Sequence, residues 1–137
     1  MNENIIFLIL LVIILFSIFS INKVNIYRDP MVFKLKNDLQ KVDSRVQYIN
    51  FYASDDSFTE DKKRIYLCLK DKDGNYYKYN DLIYVSLHEL AHAFSNTVDY
   101  DHTSPEFINN FNYLINRAVE VGIYDPSQTF TDNYCKH

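Results

Sequence analysis

The chain has 137 residues, 14 Lys and Arg against 18 Asp and Glu, a formal net charge of −4 and 47% hydrophobic residues. That length suits one folded domain, and the mildly acidic balance argues against nucleic acid as a partner, since gripping a phosphate backbone needs a basic face. Two Gly and three Pro exclude a loop-rich scaffold, and two cysteines without a C-x-x-C pair exclude a disulfide framework or a zinc knuckle.

Residues 4–22 carry no charge. As a helix they rise about 28 Å, close to the thickness of a bilayer core. A buried helix would show a polar side, and this stretch has none. A signal peptide would want a basic leading region and a small-residue cleavage site, whereas Glu3 precedes the block and only Ser17 and Ser20 interrupt it. The expectation is a single-pass membrane anchor. Lys23, Arg28, Lys34 and Lys36 follow it, which by the positive-inside rule puts the folded domain on the cytosolic side or its topological equivalent. The absence of any Asn-x-Ser/Thr acceptor agrees. On that side Cys68 and Cys135 are expected to be reduced thiols.

Residues 23–30 read as a linker, 31–125 as the folded domain and 126–137 as a tail without periodicity. Val32, Leu35, Leu39 and Val42 recur at helical spacing, predicting a helix over 31–42. Residues 46–53 read as a strand, 55–63 as a charged loop, and 64–70 as a clearer strand with Ile65, Leu67 and Leu69 on one face. Asp73-Gly74 favours a tight turn, with a returning strand at 76–79. Asn80 or Asp81 can cap a helix running to about Asn96, whose buried stripe is Ile83, Leu87, Leu90, Ala91 and Phe94. Thr103-Ser104-Pro105-Glu106 reads as a second helix start, with Thr103 and Glu106 as a capping box. That helix buries Phe107, Phe111, Leu114, Ala118 and Val121, and Gly122 ends it. The fold class is therefore α+β, a small sheet packed on two helices.

The chemistry concentrates in His88-Glu89-Leu90-Ala91-His92, an H-E-x-x-H inside a helix. At 3.6 residues per turn the two histidines lie about 40° apart on one face, so both imidazoles can reach one ion. Neutral imidazole in a tetrahedral set suits Zn²⁺. Glu89, one position off, is placed to act as general base on a water at that ion. A catalytic zinc takes three protein ligands. His102, ahead of the next helix, is the expected third, and Glu106 is its rival. His137 is terminal and outside the site.

The stretches IYLCLKDKDGNYYKYNDLIYVSLHELAHAF, DHTSPEF and FNYLINRAVEVGIYDP resemble the zincin metallopeptidases of the WLM and SprT-like type. That class includes the Spartan-like DNA–protein crosslink proteases. The similarity is closest to the short WLM-like zincins of large eukaryotic DNA viruses. It implies a zincin-like fold, zinc on His88, His92 and His102, and Glu89 as catalytic acid/base. The Tyr134-Cys135 pair also resembles a feature of that family. The DNA-repair members carry basic or DNA-binding regions, whereas this chain is mildly acidic and has an expected membrane anchor.

The expectation is a membrane-anchored zinc metallopeptidase acting on a protein or peptide, an edge strand at 64–70 holding the substrate. Tyr84, Tyr100 and Tyr124 are candidate oxyanion donors only in that a tyrosine can donate there, and packing is the first reading of each. The alternative is a zinc-bound membrane protein serving as a binding or assembly module without proteolysis. The oligomeric state has no signature in the sequence.

Overall fold

In a computed structural model, residues 1–26 and 29–136 are described. Helix α1 (Glu3–Ile26) is followed by α2 (Pro30–Leu39), a 3-10 turn (Ser44–Tyr48), strands β1 (Asn50–Ser54), β2 (Phe58–Glu60) and β3 (Arg64–Cys68), and helices α3 (Tyr79–Phe94) and α4 (Pro105–Glu120).

Helix α1 is apolar all round and long enough to cross a bilayer, and its stretch from Glu3 to Ser20 buries nothing in the protein. It extends into the expected linker as far as Ile26. Residues 27 and 28 of that linker, and His137, lie outside the described residues. An apolar helix at the N-terminus is either a membrane anchor or a signal sequence.

The three strands form one mixed sheet in the order β1-β3-β2, with β1 parallel and β2 antiparallel to β3. The sequence reading placed β3 at an edge, and this is corrected: β3 is central and β2 is an edge. The charged loop 55–63 contains β2, a strand of three residues and too short for alternation to reveal it. The expected strand over 46–53 begins later. Asp43 accepts the Arg45 N–H and winds Val46 into the 3-10 turn, leaving only Asn50 onward extended. The returning strand at 76–79 reduces to one bridge between Lys70 and Tyr76.

Side chains alternate across the sheet as a two-residue period requires. Phe51, Ile65 and Leu67 point inward and are buried. Tyr52, Tyr66 and Phe58 stack outward across all three strands, with ring centroids 5.1 and 4.5 Å apart. Helix α3 covers the inner face through Leu82, Ile83, Leu87, Leu90 and Ala91. Helix α2 adds Leu35 and Leu39, and α4 adds Phe107, Leu114 and Ala118. Each fully buried leucine contributes about 1.5–3 kcal/mol by removal from water.

Helix ends follow capping chemistry with two corrections. Lys78, not Asn80 or Asp81, is the N-cap of α3, with no side-chain cap bond. Ser104, not Thr103, caps α4 by accepting the Phe107 N–H, with Pro105 in the first turn. Gly122 does end α4. It adopts φ +80°, and the Ile123 N–H reaches the Ala118 carbonyl while the Gly122 N–H reaches Val119.

The tail lacks regular structure yet packs closely. Tyr134 donates its hydroxyl to the Cys68 carbonyl, and Thr131 hydrogen-bonds the buried Asp81 carboxylate. Cys135 donates its N–H to the Tyr77 hydroxyl oxygen and forms a disulfide with Cys68, Cα atoms 6.2 Å apart. The expectation of two reduced thiols is corrected. The tail returns to the end of β3, and Cys68, on the face opposite the core, meets it there.

Candidate metal centre

His88 and His92 stand one turn apart on α3, on the side that meets α4. His102 comes from the connector between the helices. The three rings form a nearly equilateral triangle, with centroids 5.0, 4.8 and 4.9 Å apart. Their ligand nitrogens all lie within 4.8 Å of one another. His92 Nε2 and His102 Nε2 are 3.0 Å apart, aimed at a shared point. Two nitrogens on one tetrahedral zinc would be separated by about 3.3 Å, given Zn–N bonds near 2.05 Å.

The connector is built to deliver His102. Asp99 accepts the Ser104 N–H at 2.7 Å and folds the loop back on itself. Hydrogen bonds from that loop's backbone hold Asp99 below the usual carboxylate range. Within the loop His102 adopts φ +56°, a left-handed conformation that disfavours a side chain with a Cβ. Phe107, buried in the first turn of α4, lies beneath all three imidazoles at centroid distances of 5.2, 4.5 and 5.2 Å.

Glu106 is not part of the cluster. Its carboxylate accepts the Asn96 N–H at 2.7 Å and a bond from the Thr97 hydroxyl, which depresses its pKa. It fastens the start of the connector to α4, so neither the rival ligand role nor the capping box with Thr103 is observed.

Electrostatics favour neutral rings at His88 and His92. Burial, and then the neighbouring His92 and His102, push His88 down to about 4. Burial lowers His92 as well. A neutral ring keeps its lone pair free for a cation, so three converging nitrogen donors fit a borderline-soft ion such as Zn²⁺.

Glu89 is 7% exposed on α3. Burial raises its pKa, opposed by a hydrogen bond from Thr59. The Thr59 hydroxyl lies 2.7 Å from Glu89 Oε2 and 2.9 Å from the Glu89 carbonyl oxygen. Lys62, at the turn between β2 and β3, donates to the His92 and Thr97 carbonyls at 2.7 and 2.9 Å, closing the C-terminal end of α3. A cation there also opposes the negative end of the helix dipole.

Thr59, Lys62 and Phe107 are the site residues that the motif reading missed. Phe107 was legible as a core position only. Thr59 and Lys62 sit in a segment whose charge masked its strand. Of the tyrosines, Tyr84 packs among Phe111, Tyr124 and Phe130, and Tyr100 is exposed in the connector.

No protein-family model and no solved structure matches the chain. Curated proteins do. The chain is 46% identical over 82 residues to an uncharacterized protein of Invertebrate iridescent virus 6, covering 58% of this chain and 44% of that protein. It is 41% identical over 81 residues to one of Invertebrate iridescent virus 3, covering 58% and 49%. It is 37% identical over 110 residues to one of Acanthamoeba polyphaga mimivirus, covering 77% and 51%. Its homologues are proteins of iridoviruses and a mimivirus. The chain spans about half the length of these relatives.

Proposed function

We propose that this chain is a zinc-dependent peptidase of zincin type, held at a membrane by α1. The observation that carries the proposal is the triangle of His88, His92 and His102, the first two on the helix that presents Glu89. Three histidines leave a fourth position of a tetrahedral set open, which a purely structural site would close.

Zinc, when bound there, supplies Lewis-acid activation of water and of the scissile carbonyl. Glu89 removes a proton from the attacking water and returns one to the departing amine. Its burial helps, because a carboxylate taken out of bulk water is a stronger base. The free edge of β2 offers backbone hydrogen-bonding groups beside α3, suited to an extended peptide. The resemblance of the H-E-x-x-H and D-H-T-S-P-E-F elements to WLM-like zincins supports the same reading.

Two features bear on the side of the membrane. Lys34 and Lys36, soon after α1, favour the cytosolic face. The Cys68–Cys135 disulfide favours an oxidising environment. We give the disulfide more weight, because it is a specific pairing of two residues and not a bias over many. Alkylation of the full chain before and after reduction distinguishes the two. Thiols that react only after reduction support the oxidising side.

The decisive experiment is zinc analysis and peptide-library cleavage of the detergent-solubilised full chain. Wild type and Glu106→Ala are expected to bind one zinc, and His102→Ala to lose it. Glu89→Gln is expected to keep zinc and lose turnover. A Glu89→Gln protein that cleaves as wild type does, or a His102→Ala protein that holds zinc equally well, overturns the proposal.

A further inference from the structure

We infer that Thr59 is a positioning residue for Glu89, holding Oε2 so that Oε1 is the oxygen that meets the attacking water. The inference rests on the peptidase reading above and concerns a residue outside the H-E-x-x-H motif.

The sheet dictates where Thr59 points. In the β2–β3 ladder it pairs with Ile65, which is fully buried toward α3. Side chains of paired residues share a face. Phe58 and Glu60 on either side therefore turn outward, and Thr59 turns toward the helix. Its one hydroxyl proton is then shared between two acceptors of one residue, the carbonyl and, at the shorter distance, the Oε2 of Glu89. The carbonyl belongs to the backbone of α3, so the hydroxyl is registered against the helix itself. Lys62 fixes the same hairpin to α3 at the His92 carbonyl. Two such bonds, about one turn apart along α3, keep β2 from sliding.

Glu89 needs that constraint. A glutamate has three side-chain torsions, and ordering a long polar side chain costs rotamer entropy. Among the described residues no Lys or Arg pairs with Glu89, and Thr59 is the one side chain that hydrogen-bonds it. Among the described residues Oε1 has no protein hydrogen-bond partner, and it is not fully buried. One oxygen is held and the other is free, which is what a base reaching for a water requires. A valine would fill the same volume, so packing alone does not call for threonine. The β-branch stiffens χ1, so the hydroxyl is already aimed.

The test compares wild type, Thr59→Val and Thr59→Ser in the full chain, with zinc content, steady-state kinetics on a cleaved library peptide, and crystal structures of the zinc-loaded proteins. Thr59→Val is expected to keep zinc and KM while kcat falls about 10- to 100-fold, the cost of a misplaced catalytic group. Thr59→Ser is expected to recover most of that loss, which a packing defect would not allow. In the crystal, the Glu89 carboxylate should be displaced in Thr59→Val and in place in Thr59→Ser. An active wild type with kcat unchanged in Thr59→Val overturns the inference. If zinc-loaded wild type cleaves no peptide, the peptidase reading fails instead. The crystal structures then decide alone: an undisplaced Glu89 in Thr59→Val overturns the positioning, and a displaced one supports it.

Discussion

Helices α3 and α4 and the two irregular segments that grip them, residues 55–63 and 126–136, behave differently. Helix α3 carries two of the three clustered histidines and the carboxylate, the third histidine comes from the connector ahead of α4, and both helices announce themselves by periodicity. The irregular segments carry no ligand, yet they hold the ends and flank of α3. The hairpin does so through Thr59 and Lys62, and the tail through Thr131 on Asp81 and the bond between Cys135 and Cys68. The difference teaches that in this protein the chemistry and its alignment reside in different parts of the chain. His88 and His92 need only a helical spacing, whereas alignment needs contacts between residues 30 to 67 positions apart.

The largest test of that division is His88→Ala. It removes one of the two histidines on α3 and should weaken zinc binding by more than about 100-fold. The circular dichroism spectrum should stay unchanged, because His88 makes no core-forming bond. A variant that unfolds would show that ligand and scaffold are not separable. Next comes Cys135→Ser, aimed at the tail. Opening a loop closed across 67 residues should cost about 2–4 kcal/mol in urea unfolding. Zinc stoichiometry should be unaffected. Loss of metal along with stability would move the tail from clamp to site.

The smallest effect is acidification of the metal-free protein. The His88 pKa falls to about 4 in the folded chain, against an ordinary 6.5. Between those values the unfolded chain binds the proton first, so stability is complete above about 6.5 and declines as pH falls toward 4. Thermal melts across that window should shift downward, and His88→Ala should flatten the slope. An unchanged slope would mean that His88 is not buried as described. Added zinc should raise the melting point at neutral pH and lose that effect as protons displace it from the imidazoles.

Much of the architecture could be read in advance. The α3 stripe, the Gly122 stop and the apolar N-terminal helix all follow from one-dimensional patterns. The errors share a cause. The strand over 46–53 failed because Asp43 turns the backbone at Arg45 and Val46 before it can extend. The loop over 55–63 hid β2 because three residues cannot display alternation. Thr103 looked like a cap because Ser104 beside it has the same chemistry, and only the geometry of the turn chooses between them. The cysteines were read from topology, and the tail that joins them has no period to reveal its path.

Sequence alone placed His88, His92 and Glu89 together, because residues on one helix keep their relation wherever that helix lies. It also determined that the N-terminal block must be apolar on every side. Tertiary structure alone decided that His102 completes the triangle, that Phe107 lies beneath it, and that Thr59 and Cys135 reach partners far away in sequence. Those placements depend on how a connector, a short edge strand and an aperiodic tail close around the core, and closure of that kind is set by packing and by chain length between contacts.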